Sequence, residues 1–234
     1  MQTSNKSQRN RTLTINESEI APLRKRLLSC EDVQSGTSII DKTINADLLS
    51  VLPFIPDGFA DLIIIDPPYN LSKNFNGLQT KIVSNNEYLT YLRSWFPSVV
   101  KKLSPRGSIY LCGDWKCTAA LQQILSEHLT ILNRITWQRE KGRGATSNWK
   151  NSMEDIWFAV ADTRNYCFNL EAVKIRRKVI APYRALGKPK DWEETANGNF
   201  RMTCPSNFWD DISVPFWSMP ENTPHPTQKP EKLF

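Results

Sequence analysis

The sequence of 234 residues is 40% hydrophobic and 23% charged, a balance that supports a buried core and excludes wholesale disorder. We expect no membrane-spanning helix, because no run of about 18 apolar residues occurs, and no secretory signal, because the basic start lacks an apolar region. The net charge of +6 favours a polyanionic partner. Five scattered cysteines without a CxxC pair and only two histidines argue against disulfides and a metal site, and favour a cytoplasmic location.

The first predicted strand follows a long irregular start. Residues 1–40 are interpreted as an N-terminal extension with a short helix near 19–30. The apolar, β-branched run 61–65 is typical of a fully buried parallel strand. It stops at Pro67 and Pro68, because proline cannot donate to the hydrogen-bond ladder of a sheet.

The following residues alternate between helical and strand patterns. Apolar residues at three- and four-residue steps predict a helix over 86–103, which Asn85 or Asn86 would cap and Pro97 would kink. Further elements are predicted as a strand at 107–112, a helix at 115–127, and strands at 131–137 and 155–160. This alternation indicates an α/β fold with a doubly wound, parallel sheet.

The composition changes between residues 139 and 207, where Gly, Asn, Lys, Arg and Trp become frequent and only the strand at 155–160 resembles core. Basic residues are concentrated in the second half of this segment: Lys174, Arg176, Arg177, Lys178, Arg184, Lys188 and Lys190. Such a segment suits contact with nucleic acid, and the alternative is a solvated basic face.

The tetrapeptide Asp66-Pro67-Pro68-Tyr69 stands at the carboxyl end of a predicted strand, where ligands bind in open α/β sheets. Asp66 supplies a carboxylate acceptor, Pro67 supplies a carbonyl without a competing N–H, and Tyr69 supplies a flat ring. Two acceptors beside a ring suit an amino group on a planar base. If they draw on its hydrogens, the nitrogen lone pair becomes available to attack a methyl sulfonium. The alternative is a proline-rich turn that merely ends a strand.

Three segments of the sequence, and the order in which they occur, resemble the amino-group DNA methyltransferases of the β arrangement. In that family the catalytic motif comes first, the target-recognition region second, and the glycine motif that binds S-adenosyl-L-methionine (AdoMet) last. The segments are Asp61-Leu-Ile-Ile-Ile-Asp-Pro-Pro-Tyr-Asn70, Arg134-Ile-Thr-Trp-Gln-Arg-Glu-Lys-Gly-Arg-Gly-Ala145 and His225-Pro-Thr-Gln-Lys-Pro230. Asp rather than Ser at the start of the tetrapeptide resembles the adenine-N6 branch of type II and IIS restriction–modification systems. The resemblance covers residues 45–234 and implies a Rossmann-like, AdoMet-dependent sheet with an inserted recognition region.

The resemblance also implies a division of the chain and of its site residues. The extension 1–40 would precede a catalytic α/β core at 41–138, a target-recognition region at 139–212 with one further core strand, and a cofactor loop at 213–234. The implied catalytic residues are Asp66, Pro67, Pro68 and Tyr69. The implied cofactor-binding residues are Asp47, Asp66, His225, Pro226, Thr227, Gln228 and Lys229. The DNA-binding candidates are Arg143, Lys150, Arg176, Arg177, Lys178 and Arg184. For Asp47, a helix cap before Leu48 is an equal alternative.

The family pattern continues beyond HPTQKPEKLF into a helix, a strand and a glycine-containing AdoMet loop, whereas this sequence has no glycine after Gly198. We therefore expect an incomplete sheet, completed by a second chain or a missing C-terminal segment, and weak AdoMet binding without it. The resulting hypothesis is site-specific methylation of adenine N6 in duplex DNA, with the target base flipped out of the stack, as part of a restriction–modification system. Cytosine-N4 methylation and a non-catalytic DNA-binding remnant are the alternatives.

Overall fold

The computed structural model describes residues 8–72, 74–75, 78–79, 81–139, 146–180, 183–225 and 227–233. Its helices are α1 (Glu17–Arg24), α2 (Cys30–Gln34), α3 (Leu48–Val51), α4 (Asn85–Val100), α5 (Thr118–Ser126) and α6 (Leu170–Val173). Its strands are β1 (Leu27–Leu28), β2 (Thr43–Ile44), β3 (Ala60–Ile65), β4 (Asn74–Phe75), β5 (Leu78–Gln79), β6 (Leu103–Gly113), β7 (Thr130–Gln138), β8 (Met153–Val160), β9 (Ile175–Lys178), β10 (Arg184–Ala185), β11 (Lys188–Pro189), β12 (Glu193–Thr195), β13 (Gly198–Thr203) and β14 (Phe208–Trp209). Single 3₁₀ turns cover Leu52–Phe54 and Glu231–Leu233.

The central sheet has the strand order β14-β7-β8-β6-β3. Strand β3 is parallel to β6, and β14 is parallel to β7, but β8 lies between β6 and β7 and is antiparallel to both. The α/β class is confirmed, whereas a wholly parallel sheet is wrong. The reason is that α5 carries the chain from β6 to β7 in the same direction, and β8 then returns into the space left between them. The hydrophobic pattern of β8 does not indicate the direction in which this strand runs.

The buried residues pack on both faces of this sheet. On one face, Leu92 and Phe96 of α4 and Leu121 of α5 are fully buried against Leu111 of β6. On the other face, the core includes Trp137 of β7 and residues of β8, together with Ile212 from the segment after β14. Strand β3 is an edge strand of the described sheet, and Leu62 and Ile64 on it are exposed, so the prediction of a fully buried strand is wrong for that face.

Helix boundaries follow capping groups that periodicity alone does not reveal. The predicted helix near 19–30 is wrong, because two capping boxes start two separate helices: Asn16 with Glu19 caps α1, and Ser29 with Asp32 caps α2.

Helix α4 is also capped differently from the prediction. Ser84, rather than Asn85 or Asn86, caps it, because its hydroxyl accepts from the backbone N–H of Glu87 while the Glu87 carboxylate accepts from Ser84 in return. The helix is continuous through Pro97 and ends at Val100.

Residues 139–212, which the sequence predicts to be a recognition region, contain more structure than the sequence predicted. Strands β12, β13 and β9 form a three-stranded antiparallel sheet in that order, and β10 pairs with β11 as a hairpin. Besides β8, the short strand β14 joins the central sheet from this region. Trp192, which precedes β12, is buried as well. No helix in the described ranges is long and apolar enough to cross a membrane.

Candidate active site

The tetrapeptide predicted to be catalytic follows β3 directly, beside the end of the parallel strand β6. The hydroxyl of Tyr88, on the buried side of α4, donates to the carbonyl oxygen of Pro68 at 3.0 Å and so ties the loop to this helix. Pro67 is buried, and no described residue donates to its carbonyl oxygen. The loop is therefore anchored at Pro68, and the Pro67 carbonyl keeps its capacity to accept a hydrogen bond.

The ammonium of Lys229 joins the tetrapeptide to the segment His225–Pro230. Its Nζ lies 3.0 Å from both carboxylate oxygens of Asp66, 3.1 Å from the hydroxyl of Tyr69 and 3.2 Å from Oε2 of Glu154. The Lys229 side chain is only 8% exposed, whereas that of Asp66 is 34% exposed. The cation is thus largely shielded from solvent, and the carboxylate it contacts is reachable from outside.

The buried carboxylate of Glu154, the second residue of β8, balances this cation. Its side chain is 3% exposed and is contacted by Arg139 Nη1 at 2.7 Å, by Lys229, and by the donating hydroxyl of Tyr69 at 3.2 Å. A buried ion is tolerated when it is paired and hydrogen-bonded in this way. We call Asp66, Tyr69, Arg139, Glu154 and Lys229 the Lys229 cluster; it contains two carboxylates and two cations.

The titration of neighbouring groups follows from burial. Burial, and then the negative charges of Glu154 and Asp66, raises the pKa of the Tyr69 hydroxyl above its ordinary value, so this group stays a hydrogen-bond donor. Burial also raises the pKa of the Cys112 thiol to about 12 and that of Cys117 to about 11. At neutral pH these thiols are protonated, and a thiolate nucleophile is not available from either of them.

The residues of the predicted cofactor loop divide into two groups. The side chain of Gln228 is used within the loop, because its Oε1 accepts from the backbone and hydroxyl of Thr223 and its Nε2 donates to the carbonyl of Glu221. His225 is exposed, and its Nδ1 accepts from the backbone of Thr227 at 3.3 Å. Lys229 alone reaches the tetrapeptide; Pro226 lies outside the described residues.

Asp47 caps α3, as the alternative interpretation predicted. Its Oδ1 accepts from the backbone N–H groups of Leu49 at 2.9 Å and Ser50 at 3.3 Å. Burial, and to a smaller extent the charge of Asp47, raises the pKa of Tyr91, which follows Tyr88 by one turn of α4. Oδ2 of Asp47 has no donor among the described residues, so a cofactor role for it stays a prediction.

The six DNA-binding candidates have different surroundings. Arg176 contacts Glu193 and lies 3.9 Å from the ring centre of Phe200, and Arg184 contacts Glu194; both therefore also hold the small sheet together. The remaining candidates are exposed Arg177 and Lys178, half-buried Lys150, and Arg143, which lies outside the described residues.

Sequence reasoning missed Glu154, Arg139 and Tyr88 as members or neighbours of the site. Two adjacent acids, Glu154 and Asp155, open the otherwise apolar strand β8, and acids at buried strand positions are uncommon. That pairing is the signal that could have pointed to a buried ion pair. No comparable signal marks Tyr88, whose position fits the apolar face of α4.

Comparisons with known proteins show the family to which the chain belongs. The model of the N6/N4 DNA methylase family matches residues 60–234. The type II methyltransferase M.HpaI of Haemophilus parainfluenzae is 29% identical over 195 residues, which cover 82% of this chain and 57% of that protein. The DNA adenine methyltransferase YhdJ of Escherichia coli K12 is 31% identical over 207 residues, or 88% of this chain and 68% of that protein.

Among solved structures, the PvuII DNA methyltransferase (cytosine-N4-specific) superposes with a TM-score of 0.44 at 14% identity, covering 74% of this chain and 56% of that one. The chain thus spans between about half and two thirds of the length of these relatives. The match of the family model over three quarters of the sequence decides the assignment. The chain belongs to the N6/N4 DNA methylase family.

Proposed function

We propose that this chain carries the catalytic and DNA-recognition residues of a site-specific methyltransferase that transfers a methyl group from AdoMet to adenine N6 in duplex DNA. The observation that carries the proposal is the contact of Lys229 with Asp66 and Tyr69, which joins the two motifs of the family at the end of β3. Relatives named as a type II and an adenine methyltransferase support this substrate class and a role in restriction–modification. A DNA substrate and unpaired cysteines both favour action in the cytoplasm.

The chemistry assigned to the chain is positioning of an exocyclic amine. Asp66 accepts one N–H of the amine, and the carbonyl of Pro67 accepts the other, which frees the nitrogen lone pair from conjugation with the ring. The ring of Tyr69 stacks on the flipped base and returns roughly 1–3 kcal/mol of the energy spent on unstacking. The proton that the methylated nitrogen releases leaves along the hydrogen bond to Asp66. No step requires a covalent bond between protein and base.

The charged groups of the site fit AdoMet, which supplies an electrophilic methyl group on a sulfonium. The ammonium of Lys229 is suited to the carboxylate of the cofactor, as is the half-buried Thr227, and the carboxylate of Asp66 offsets a nearby positive charge. The uncommitted Oδ2 of Asp47 is suited to accept hydrogen bonds from ribose hydroxyls. We therefore assign Asp47, Thr227 and Lys229 to cofactor binding, with Gln228 shaping the loop that carries them.

Transfer of labelled methyl groups tests this function. Because we expect AdoMet binding to be weak without the glycine-containing loop, the protein is co-expressed with a second chain or C-terminal segment that carries this loop. The purified pair is incubated with AdoMet carrying a tritiated methyl group and an unmethylated plasmid, and label is counted in the purified DNA. The expected result is label that grows with time and disappears when the DNA is already saturated with unlabelled methyl groups. DNA binding without any label would support the alternative of a non-catalytic DNA-binding remnant.

A further inference from the structure

The hairpin of β10 and β11 carries an unusual residue at its tip. Arg184 pairs with Pro189 and Ala185 with Lys188, so Leu186 and Gly187 form a two-residue turn. Both have positive φ angles, 52° for Leu186 and 76° for Gly187, as in a type I′ turn. Such turns favour Asn and Gly, and a left-handed backbone is disfavoured for a residue with a branched side chain.

The Leu186 side chain makes no packing contact with the described residues that would offset the energetic cost of its left-handed backbone conformation. Its side chain is fully exposed, and the neighbouring apolar residues Ile180 and Tyr183 are exposed as well. An apolar side chain in a disfavoured backbone state, with no packing inside the protein, indicates a contact with something outside it.

The base of the hairpin is held in place. The guanidinium of Arg184 donates to the carbonyl of Gly187 at 3.2 Å, contacts both carboxylate oxygens of Glu194, and lies 4.9 Å from the ring centre of Trp192. Trp192 is buried and donates to the carbonyl of Tyr183 at 2.7 Å. Leu186 is therefore presented on a preorganised support, which lowers the cost of inserting it into a partner.

The charges around the tip identify the partner. Lys188 directly follows the turn and Lys190 lies two residues further on, whereas Arg177 and Lys178 lie on β9; within the described ranges none of these four makes an ion pair. A protein surface that buries a leucine is depleted of charge around it, whereas a DNA duplex presents phosphates beside apolar base faces. An apolar tip that is followed closely by two lysines without an acidic partner among the described residues fits DNA.

We propose that Leu186 inserts between stacked base pairs of bound DNA and helps to expel a base from the helix. This inference rests on the proposed function, because it takes DNA as the substrate. Apolar side chains inserted in this way unstack a base step, and the cost is met by the surrounding contacts. Lys188 and Lys190 would contact the phosphates that flank the opened step.

Permanganate oxidation of unstacked thymines tests this role without knowledge of the recognition sequence. A plasmid of known sequence is treated with permanganate in the presence of the parent protein, of L186N or of L186M, and reactive thymines are mapped by sequencing. Asn suits the turn and removes the apolar tip, whereas Met keeps an apolar tip of similar length. Affinity for the same DNA is measured in parallel.

With the parent and L186M we expect protein-dependent reactive thymines, and with L186N a reduction of about five-fold or more at an affinity within about three-fold of the parent. Equal reactivity with L186N, no reactive thymines with the parent, or no DNA binding would each overturn the inference. Labelled methyl transfer on the same samples separates the two proposals. Reactivity that depends on Leu186 without methyl transfer would overturn the proposed function alone, and methyl transfer without such reactivity would overturn the Leu186 role alone.

Discussion

Lys229 connects two carboxylates of very different exposure. Glu154 is buried and is also contacted by Arg139, so it fixes the position of the ammonium, while Asp66 faces the accessible side of the site. The sequence predicted Asp66, Tyr69 and Lys229 because they lie in motifs with a recognisable spacing. It did not predict Glu154 or Tyr88, because their importance arises from contacts between residues that are distant along the chain.

Replacing Asp66 by alanine should remove the acceptor for the target amine and leave the phosphate-binding surface intact. We expect D66A to lower the single-turnover rate of methyl transfer by about 10²–10³-fold or more, the range seen when one preorganised electrostatic group is removed. Duplex affinity, measured by fluorescence anisotropy, should stay nearly unchanged. The matched control is D57A, which removes an exposed carboxylate paired with Lys102 away from the site. A rate for D66A within a few-fold of the parent would refute the role of Asp66.

Replacing Glu154 by glutamine keeps the shape of the side chain but removes the buried charge that Arg139 and Lys229 share, so that Arg139 loses its carboxylate partner and Lys229 keeps only Asp66. We expect E154Q to lower the free energy of unfolding by about 3 kcal/mol, as when one partner of a buried ion pair is removed. Urea denaturation measures this change. The control E171Q breaks an exposed ion pair with Lys174 and should leave the midpoint unchanged. Equal stability of E154Q and the parent would mean that Lys229 does not depend on Glu154.

At the scale of elements, the sequence predicted the position of the central strands and of α4 and α5 within a few residues, because their apolar patterns are strong. The direction of β8 could not be predicted, since alternation of buried residues is the same for a strand of either direction. The small sheet of β9, β12 and β13 was missed for a different reason. Its strands are short and rich in charged and polar residues, and the Arg176 side chain packs against the ring of Phe200 in place of an aliphatic residue.

The turn from β6 into α5 depends on close packing at Gly113. A Cβ at this position would lie 2.1 Å from Cδ1 of Leu121 and 3.2 Å from Sγ of Cys117, both fully buried. We expect G113A to lower the free energy of unfolding by about 1–3 kcal/mol through overpacking. In the background of L121A, which removes the clashing methyl groups, the same change should cost markedly less. Equal costs in the two backgrounds would show that Leu121 is not the obstacle.

At the scale of the whole molecule, the charged residues behind the net charge of +6 are not all free to contact a partner. Several cations of the recognition region are neutralised by acids within it, as Arg201 is by Asp191, so the charge available for a polyanion is smaller than the sequence count suggests. Among the described residues of this region, the cations without an ion pair include Arg177 and Lys178 on β9 and Lys188 and Lys190 at and after β11. This distribution could not be predicted from the sequence, because the paired acids follow the basic run only after several residues.

The salt dependence of DNA binding measures how many phosphates these cations neutralise. If Arg177 and Lys178 meet phosphates, replacing both by glutamine should make the slope of log affinity against log salt shallower by about 0.9 for each phosphate that is no longer neutralised. The control R93Q removes a cation that pairs with Glu127 on the α4–α5 side of the molecule, and its slope should match the parent. An unchanged slope for the double variant would identify these charges as a solvated face.

The most direct test of the account is the identity of the methylated nucleoside. DNA is incubated with AdoMet and with the protein co-expressed with a chain or segment that carries the glycine-containing loop, and the D66A variant is treated in the same way. The DNA is then digested to nucleosides and analysed by liquid chromatography with mass spectrometry. We predict N6-methyldeoxyadenosine from the parent and none above background from D66A. N4-methyldeoxycytidine as the product, or the same yield of N6-methyldeoxyadenosine from D66A, would contradict the account.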